Sequence, residues 1–140
     1  MKKNYKDLVL PDKYAPKASE EYMCPEHLAY FYRILITERD DMLASLADDS
    51  SVMSLGQKMD GMGPMDEGDQ ATLSMEAEMD IKIRERTTLY LAQIDAALDR
   101  MEKGTYGYSV ISGNPIGLKR LMIRPVAPMT MEEKEEHDSK

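Results

Sequence analysis

The sequence predicts a mainly α-helical fold, in which a long antiparallel coiled-coil hairpin projects from a small globular base with a C-terminal helix. Three observations predict it. Two long stretches contain neither glycine nor proline and carry apolar residues at helical spacing. A short stretch between them is rich in glycine, as loops are. The rest of the 140-residue chain is too short to form a large core of its own.

The chain divides accordingly into three predicted parts. Residues 1–32 form an N-terminal segment and the start of the first helix, and they belong to the base. Residues 33–100 form the hairpin, with its tip near 56–71. Residues 101–140 complete the base and supply the C-terminal helix.

The first helix is predicted to begin at Pro25, because proline is favoured in the first turn of a helix, where its missing N–H group is not needed. Glu26 complements the positive end of the helix dipole. No glycine or proline follows before Gly56. Apolar residues recur at the spacing of a coiled-coil seam, and they are Leu28, Tyr32, Leu35, Met42, Leu46 and Met53.

The second helix is predicted to begin near Asp66–Asp69, after a loop at 56–64 that contains three glycines and a proline. Past Gly68 it continues without glycine or proline to about Lys103, and Gly104 is placed to end it. Its apolar stripe consists of Leu91, Ile94, Leu98 and Met101, with Tyr90 and Ala97 beside it.

The last 35 residues predict two short strands and a final helix. Residues 108–111 and 118–123 are apolar runs around the turn at 113–117, which favours a pair of strands. A charged helix is predicted at 130–136. The apolar residues expected to hold this region together are Val110, Ile111, Ile116, Leu118, Leu121, Ile123 and Val126.

Composition excludes several classes of protein. The only cysteine, Cys24, cannot build a disulfide framework or a four-cysteine zinc site, and no third metal ligand joins Cys24 and His27 within reach by sequence. No apolar run approaches the ~20 residues that span a bilayer, so no membrane association is expected. The start of the chain lacks the apolar region of a secretory signal, so the expected location is cytoplasmic. No catalytic motif is present, so no enzymatic activity is expected.

The charged residues are strongly segregated along the chain. The net charge is −8, but residues 38–80 carry −10 and residues 81–125 carry +4. A solvated acidic face explains most of these acids, and the predicted hairpin places them toward its tip. The overall acidity argues against a general nucleic-acid coat, since phosphate binding needs a basic surface, and no direct sequence-specific DNA binding is expected.

Short motifs follow one another in a specific order: Glu21-Tyr-Met, Leu28-Ala-x-Phe-x-Arg-Ile-Leu35, Asp66-x-x-Asp69-x-Ala71, Arg84-Glu-Arg86, Gly107-Tyr108 and Ile116-Gly-x-x-Arg-Leu-x-x-Arg-Pro125. Together they resemble the DksA/TraR family of RNA-polymerase-binding transcription factors. The resemblance covers roughly residues 20–136. Each motif is weak alone, and the specificity lies in their order and spacing.

The resemblance implies that the hairpin enters the secondary channel of bacterial RNA polymerase and alters the lifetime of promoter complexes. The family's tip residues fall on Asp66, Asp69 and Ala71. A narrow pore that leads to a Mg²⁺ site favours a slender, acidic probe. The two aspartates can also simply cap the second helix, and the two roles are compatible.

The resemblance also implies two sets of binding residues, and no bound cofactor. The polymerase-binding residues are Arg84, Arg86, Lys119 and Arg120. Guanosine tetraphosphate (ppGpp) is the expected effector at the polymerase interface, and the matching positions are Tyr90, Gln93, Arg124 and Lys134. Gln93 replaces a lysine that is usual in the family, and Arg124 alternatively serves the fold beside Pro125.

The family's base usually binds zinc through two Cys-x-x-Cys pairs, and this chain departs from that pattern. The four positions are occupied by Ser109, Ser112, Thr130 and Glu133. Neutral hydroxyl groups are poor zinc ligands, and one carboxylate cannot complete a site. We therefore expect a degenerate, metal-free base that is held together by packing.

Two other functions remain open from the sequence. One is a Gre-like transcript-cleavage helper, in which tip carboxylates bind a second Mg²⁺ in the polymerase. The other is a coiled-coil adaptor with no role at the polymerase.

Overall fold

The computed structural model describes residues 5–47 and 67–139, which form one short 3₁₀ helix and four α-helices. None of the described helices is long and apolar enough to cross a membrane. The mainly helical class predicted from the sequence is confirmed. The 3₁₀ helix is Tyr5–Asp7, and the α-helices are α1, Pro25–Ala47; α2, Glu67–Lys103; α3, Leu118–Ile123; and α4, Met131–Asp138.

The described ends of the two long helices agree with their sequence signals. α1 begins at Pro25 as predicted, and the Leu28 amide donates to the Cys24 carbonyl across the first turn at 3.0 Å. At the end of α2, Gly104 adopts φ +79°, and its amide donates to the Met101 carbonyl. The Thr105 amide reaches the Arg100 carbonyl at 2.9 Å. These two bonds form a Schellman motif, which requires the left-handed backbone that glycine adopts without strain.

Several predicted features lie outside the described residues. They are the seam residue Met53, the loop at 56–64 and the tip residue Asp66. The described residues divide between two compact units. We call Met1–Arg39 with Gln93–Lys140 the base unit, and Asp40–Ala92 the hairpin unit.

The core of the base unit is formed by α1, the end of α2 and the segments that follow. α1 buries Phe31 and Leu35, and α2 buries Ile94, Ala97 and Met101, close to the predicted stripe. The fully buried ring of Tyr106 lies 5.8 Å from the ring of Phe31 and its hydroxyl donates to the Pro125 carbonyl at 2.7 Å. A buried tyrosine needs such a partner for its hydroxyl group.

The hairpin unit has a narrow seam in which polar residues take part. The Arg84 guanidinium donates to the Leu46 carbonyl at 3.1 Å, which places the end of α1 beside α2. The half-buried α2 residues between 73 and 87 follow the heptad spacing of a coiled coil, and they are Leu73, Ala77, Asp80, Arg84 and Thr87.

The prediction of two strands in this region is wrong. Residues 118–123 form α3, and Tyr108 makes only an isolated antiparallel bridge to Pro115. After Gly117, with φ +104°, the Leu121 amide donates back to the Gly117 carbonyl at 3.1 Å, as in a helix. Only Leu121 of these six residues is fully buried, because the core accepts one side chain per helical turn here rather than alternate residues of a strand.

The predicted core of this region is only partly right. Ile116, Leu121 and Val126 are buried, and Leu118 is half-buried. The expectation is wrong for the exposed residues, which are Val110, Ile111 and Ile123. Residues 109–113 form a tight loop instead of a strand, so its apolar side chains have no sheet face to cover.

Substitution of two apolar residues in α3 tests this correction. Leu121→Ala leaves a cavity in the core and should lower the free energy of unfolding by about 2–5 kcal/mol. Ile123 is 81% exposed, so Ile123→Ala should change it by less than about 0.5 kcal/mol. Urea denaturation followed by circular dichroism measures both. A loss larger than about 0.5 kcal/mol for Ile123→Ala would indicate that its side chain is buried, as in the predicted strand.

Candidate functional site

The first turn of α2 carries the described part of the predicted tip. Asp69 and Ala71 are exposed, and Glu67 is the other acidic residue of this turn. The free N–H groups at this helix end favour negative charge. The carboxylates therefore stabilise the helix start while they remain accessible to a partner.

The two predicted polymerase-binding arginines of α2 have different environments. Arg84 is half-buried in the seam, where its Nε atom pairs with the Asp80 carboxylate at 3.1 Å and its Nη1 atom donates to the Leu46 carbonyl. Arg86 is exposed on another side of the helix. Arg84 therefore contributes to the helix pair itself, whereas Arg86 is available to a partner.

The basic residues of α3 are similarly divided. Lys119 is exposed. Arg120 is half-buried, and its Nε atom donates to the Met129 carbonyl at 3.0 Å while Nη1 lies 3.6 Å from the Met131 sulfur. Arg120 thus joins α3 to the segment that leads into α4, whereas the Lys119 ammonium group is exposed to solvent.

Of the four predicted nucleotide-binding residues, the structure brings two together. The exposed Arg124 donates from Nη2 to the Gln93 side-chain oxygen at 3.2 Å. Lys134 is exposed on α4 and pairs with Asp138 at 3.3 Å. Tyr90 is half-buried and belongs to the hairpin unit.

Two hydrogen-bonded pairs, Ser109 with Ser112 and Thr130 with Glu133, occupy the four positions that hold zinc in the resembled family. Thr130 is the N-cap of α4, and it exchanges two bonds with Glu133: the Glu133 amide donates to the Thr130 hydroxyl at 3.2 Å, and the Thr130 amide donates to the Glu133 carboxylate at 3.1 Å. This is a capping box. The pKa of Glu133 is lowered from its ordinary value, chiefly by the nearby Ser109 hydroxyl and also by the Thr130 amide.

These residues do not fit a zinc ion. The buried Ser109 oxygen already accepts the amides of Ile111 and Ser112, at 3.1 and 3.3 Å, and the Thr130 oxygen accepts the Glu133 amide. Serine and threonine hydroxyls stay protonated at neutral pH, whereas zinc prefers thiolate, imidazole or carboxylate ligands. One carboxylate remains, and it already accepts the Thr130 amide.

A second cluster of potential ligands joins the N-terminal segment to α1. Glu20, Cys24 and His27 each place one ligand atom within 4.8 Å of the others. Sequence reasoning paired only Cys24 with His27, and it missed Glu20. The only signal for Glu20 was its position four residues before Cys24.

The geometry of this cluster indicates a structural role. The buried His27 ring accepts the Met23 amide at Nδ1, at 3.2 Å. The ring proton therefore lies on Nε2, which then has no free lone pair to bind a cation. That atom lies 3.5 Å from the Glu20 carboxylate. Glu20 also accepts the Tyr14 hydroxyl, at 2.9 Å, and the Lys17 amide. Its bond from Tyr14 is the largest cause that lowers the pKa of Glu20, and burial raises the pKa of the Cys24 thiol.

Comparisons with known proteins agree on one family. No protein-family profile matches the sequence. The chain is 32% identical over 131 residues to the RNA polymerase-binding transcription factor DksA of Caulobacter vibrioides, covering 94% of this chain and 89% of the relative. It is 28% identical over 121 residues to DksA of Escherichia coli, covering 86% and 78%. The structure of transcription factor DksA2 from Pseudomonas aeruginosa superimposes with a TM-score of 0.72, at 30% identity, over 89% of this chain and 91% of that one.

Alanine substitution of the two α2 arginines should separate their roles. Arg84→Ala removes the pair with Asp80 and the bond to Leu46, and should lower the free energy of unfolding by about 1–2 kcal/mol. Arg86→Ala should change it by less than about 0.5 kcal/mol, because Arg86 is exposed. Urea titration of both variants measures this. Equal effects would contradict the seam position of Arg84.

Proposed function

Because this chain belongs to the DksA family of RNA polymerase-binding transcription factors, we propose that it regulates bacterial transcription by inserting its helical hairpin into the polymerase secondary channel. The tip would then act near the active centre and change the lifetime of open promoter complexes. The observation that carries the proposal is the similarity to DksA, which extends over nearly the whole chain. Such a regulator acts in the cytoplasm, where the polymerase is.

The charge of the hairpin supports this mode of binding. Residues 38–80 carry a net charge of −10, and the exposed Asp69 lies in the first turn of α2. The bound Mg²⁺ ions of a polymerase active centre create a positive potential that attracts an acidic probe. The oxygen atoms of a tip carboxylate can bind near such an ion or displace its water ligands.

The base supplies the cations for a nucleotide effector. Arg124 presents an exposed guanidinium group, which recognises phosphate in a bidentate manner, and Lys134 is the second exposed cation of the proposed ppGpp set. Gln93 holds Arg124 through its side-chain oxygen but adds no charge of its own. We therefore propose a response to ppGpp that is weaker than a lysine at position 93 would give.

An assay of open-complex lifetime on a ribosomal promoter tests the function directly. Purified polymerase is incubated with the protein, with and without ppGpp, and the decay of heparin-resistant complexes is followed. A changed lifetime at constant RNA length supports the regulator. Shortened nascent RNA in stalled complexes would instead indicate a Gre-like cleavage helper. If a pull-down shows no interaction with polymerase, the result would favour the coiled-coil adaptor that has no role at the polymerase.

Removal of the negative charge at Asp69 should uncouple binding from regulation. Asp69→Asn keeps the size of the side chain and its ability to stabilise the helix start. Affinity for polymerase should stay within about twofold, because the remaining surface is unchanged. The effect on open-complex lifetime should fall about tenfold, the equivalent of one charge-assisted contact of ~1.4 kcal/mol.

Glu76→Gln is the matched control for this variant. Glu76 is also exposed on α2, about two turns further along, so the substitution removes the same charge away from the first turn. It should leave the lifetime effect nearly intact. If both substitutions act equally, the hairpin works through its general charge and not through a contact at Asp69.

A lysine at position 93 should strengthen the response to ppGpp. Gln93→Lys places a second cation beside Arg124, and we expect the ppGpp concentration for half-maximal effect to fall about five- to tenfold. Ala92→Lys adds the same charge to the adjacent exposed position, about 100° around the helix, and should have little effect. An identical response of the wild type and both variants would exclude a phosphate contact at this position.

A further inference from the structure

We propose that the turn at 21–24 positions α3, and with it the basic residue Arg124, through the hydroxyl group of Tyr22. The motif Glu21-Tyr-Met contributes no residue to the predicted polymerase-binding or nucleotide-binding sets, yet Tyr22 contacts the start of α3 across 95 residues of sequence. The consequence for Arg124 as a phosphate ligand rests on the proposed function. The position of α3 does not, and it can be measured in the absence of polymerase.

α3 has few contacts of its own that fix its position. It is six residues long, and a helix of this length is not stable in isolation. Its N-cap residue is Gly117, which has no side chain to cap the helix. Of its six residues, only Leu121 is fully buried. Apart from the Arg120 bond to the Met129 carbonyl, contacts at its two ends therefore decide where α3 lies.

The Tyr22 hydroxyl group connects two glycines that lie before α3. It donates to the Gly107 carbonyl at 2.6 Å and accepts the Gly117 amide at 2.9 Å. The Ile116 amide donates to the same Gly107 carbonyl at 2.8 Å. The Tyr22 ring packs edge-on against the Tyr108 ring, with 5.5 Å between the centroids, and this packing orients the hydroxyl group. The hydrogen bonds therefore run without a break from the turn to the N-cap of α3.

The turn that presents this hydroxyl group is itself held in one conformation. The Cys24 amide donates to the Glu21 carbonyl at 3.1 Å, and Met23 has φ +55°. A left-handed backbone is unfavourable for methionine, and it persists where neighbouring contacts over-determine it. Two contacts do so here. The Met23 amide donates to Nδ1 of His27 at 3.2 Å, and the Met23 side chain packs closely against the Gly107 backbone.

A second tyrosine holds the other end of α3. Tyr106 donates to the Pro125 carbonyl at 2.7 Å, directly after Arg124, whose guanidinium donates to the Gln93 side-chain oxygen. The hydroxyl groups of Tyr22 and Tyr106 therefore hold α3 from both ends. Loss of the Tyr22 contact leaves α3 fixed mainly at its C-terminal end. A bidentate phosphate contact by Arg124 requires a fixed guanidinium position, so it should weaken when α3 is loosened.

Tyr22→Phe removes the bridging hydroxyl group and keeps the ring, and Tyr108→Phe is its matched control. Both substitutions remove one hydroxyl group from the same pair of packed rings, but the bonds to Gly107 and Gly117 are made by Tyr22. Backbone order parameters from ¹⁵N relaxation are measured for the full chain of the wild type and of both variants, without polymerase.

The amides of Leu121 and Arg124 report on α3, because they donate to carbonyl groups one turn earlier, and the buried Ile94 of α2 reports on the base unit as a whole. In Tyr22→Phe, the order parameters in α3 should fall from about 0.85 toward about 0.6. The value at Ile94 should not change, and Tyr108→Phe should match the wild type. Equal order parameters in α3 of both variants would overturn the proposal, as would an equal fall at Ile94.

The open-complex assay tests the consequence for Arg124. At saturating protein, and relative to the effect of each protein without ppGpp, Tyr22→Phe should need about three- to tenfold more ppGpp for half-maximal effect. Tyr108→Phe should respond as the wild type does. An identical response of Tyr22→Phe and the wild type would overturn the role of Tyr22 in placing Arg124. If the wild type does not respond to ppGpp, the proposed nucleotide site fails, and the order parameters still decide whether Tyr22 positions α3.

Discussion

Burial of the Tyr106 side chain is the constraint on which the base unit depends. Its ring packs against Phe31 of α1, and its hydroxyl donates to the Pro125 carbonyl after α3. It follows the end of α2 closely, so one side chain connects three segments that are distant in sequence. The adjacent Gly107 lets the Met23 side chain approach the backbone closely: it has φ +91°, and a Cβ atom there would lie 2.6 Å from the Met23 side chain. Arg124, at the start of the segment tied by Tyr106, depends on this core for its position.

The hairpin unit follows a different principle, because its described seam includes a charged pair and small side chains. Asp80 and Arg84 occupy heptad positions that usually carry aliphatic residues, and Arg84 bonds across to the α1 backbone. The pair lies within α2, so it is the Arg84 bond to the Leu46 carbonyl that bears on the register of the two helices. A hairpin that must place carboxylates at a defined depth needs that register, and this links the seam to the proposed action of Asp69.

The sequence and its resemblance name the candidate site residues, but the surroundings of each residue depend on partners that only the fold supplies. The resemblance identified Arg84 and Arg86 as equivalent, yet one lies in the seam and the other faces solvent. It identified the replacement of zinc ligands by Ser109 and Ser112, but not that the Ser109 hydroxyl accepts the Ile111 and Ser112 amides. Glu20 was missed for the same reason, since its partners Tyr14 and His27 come from both sides of a turn.

The sequence by itself determined the long helices, because helical periodicity, Pro25 and Gly104 are local signals that act within a few residues. It also determined the segregation of charge. Only the tertiary structure decided that 118–123 is a helix, since a short apolar run fits a strand or a helix equally well and the shape of the core selects between them. Likewise, the Tyr106 hydroxyl finds its hydrogen-bond partner only when the fold brings the Pro125 carbonyl, 19 residues further along the chain, beside it.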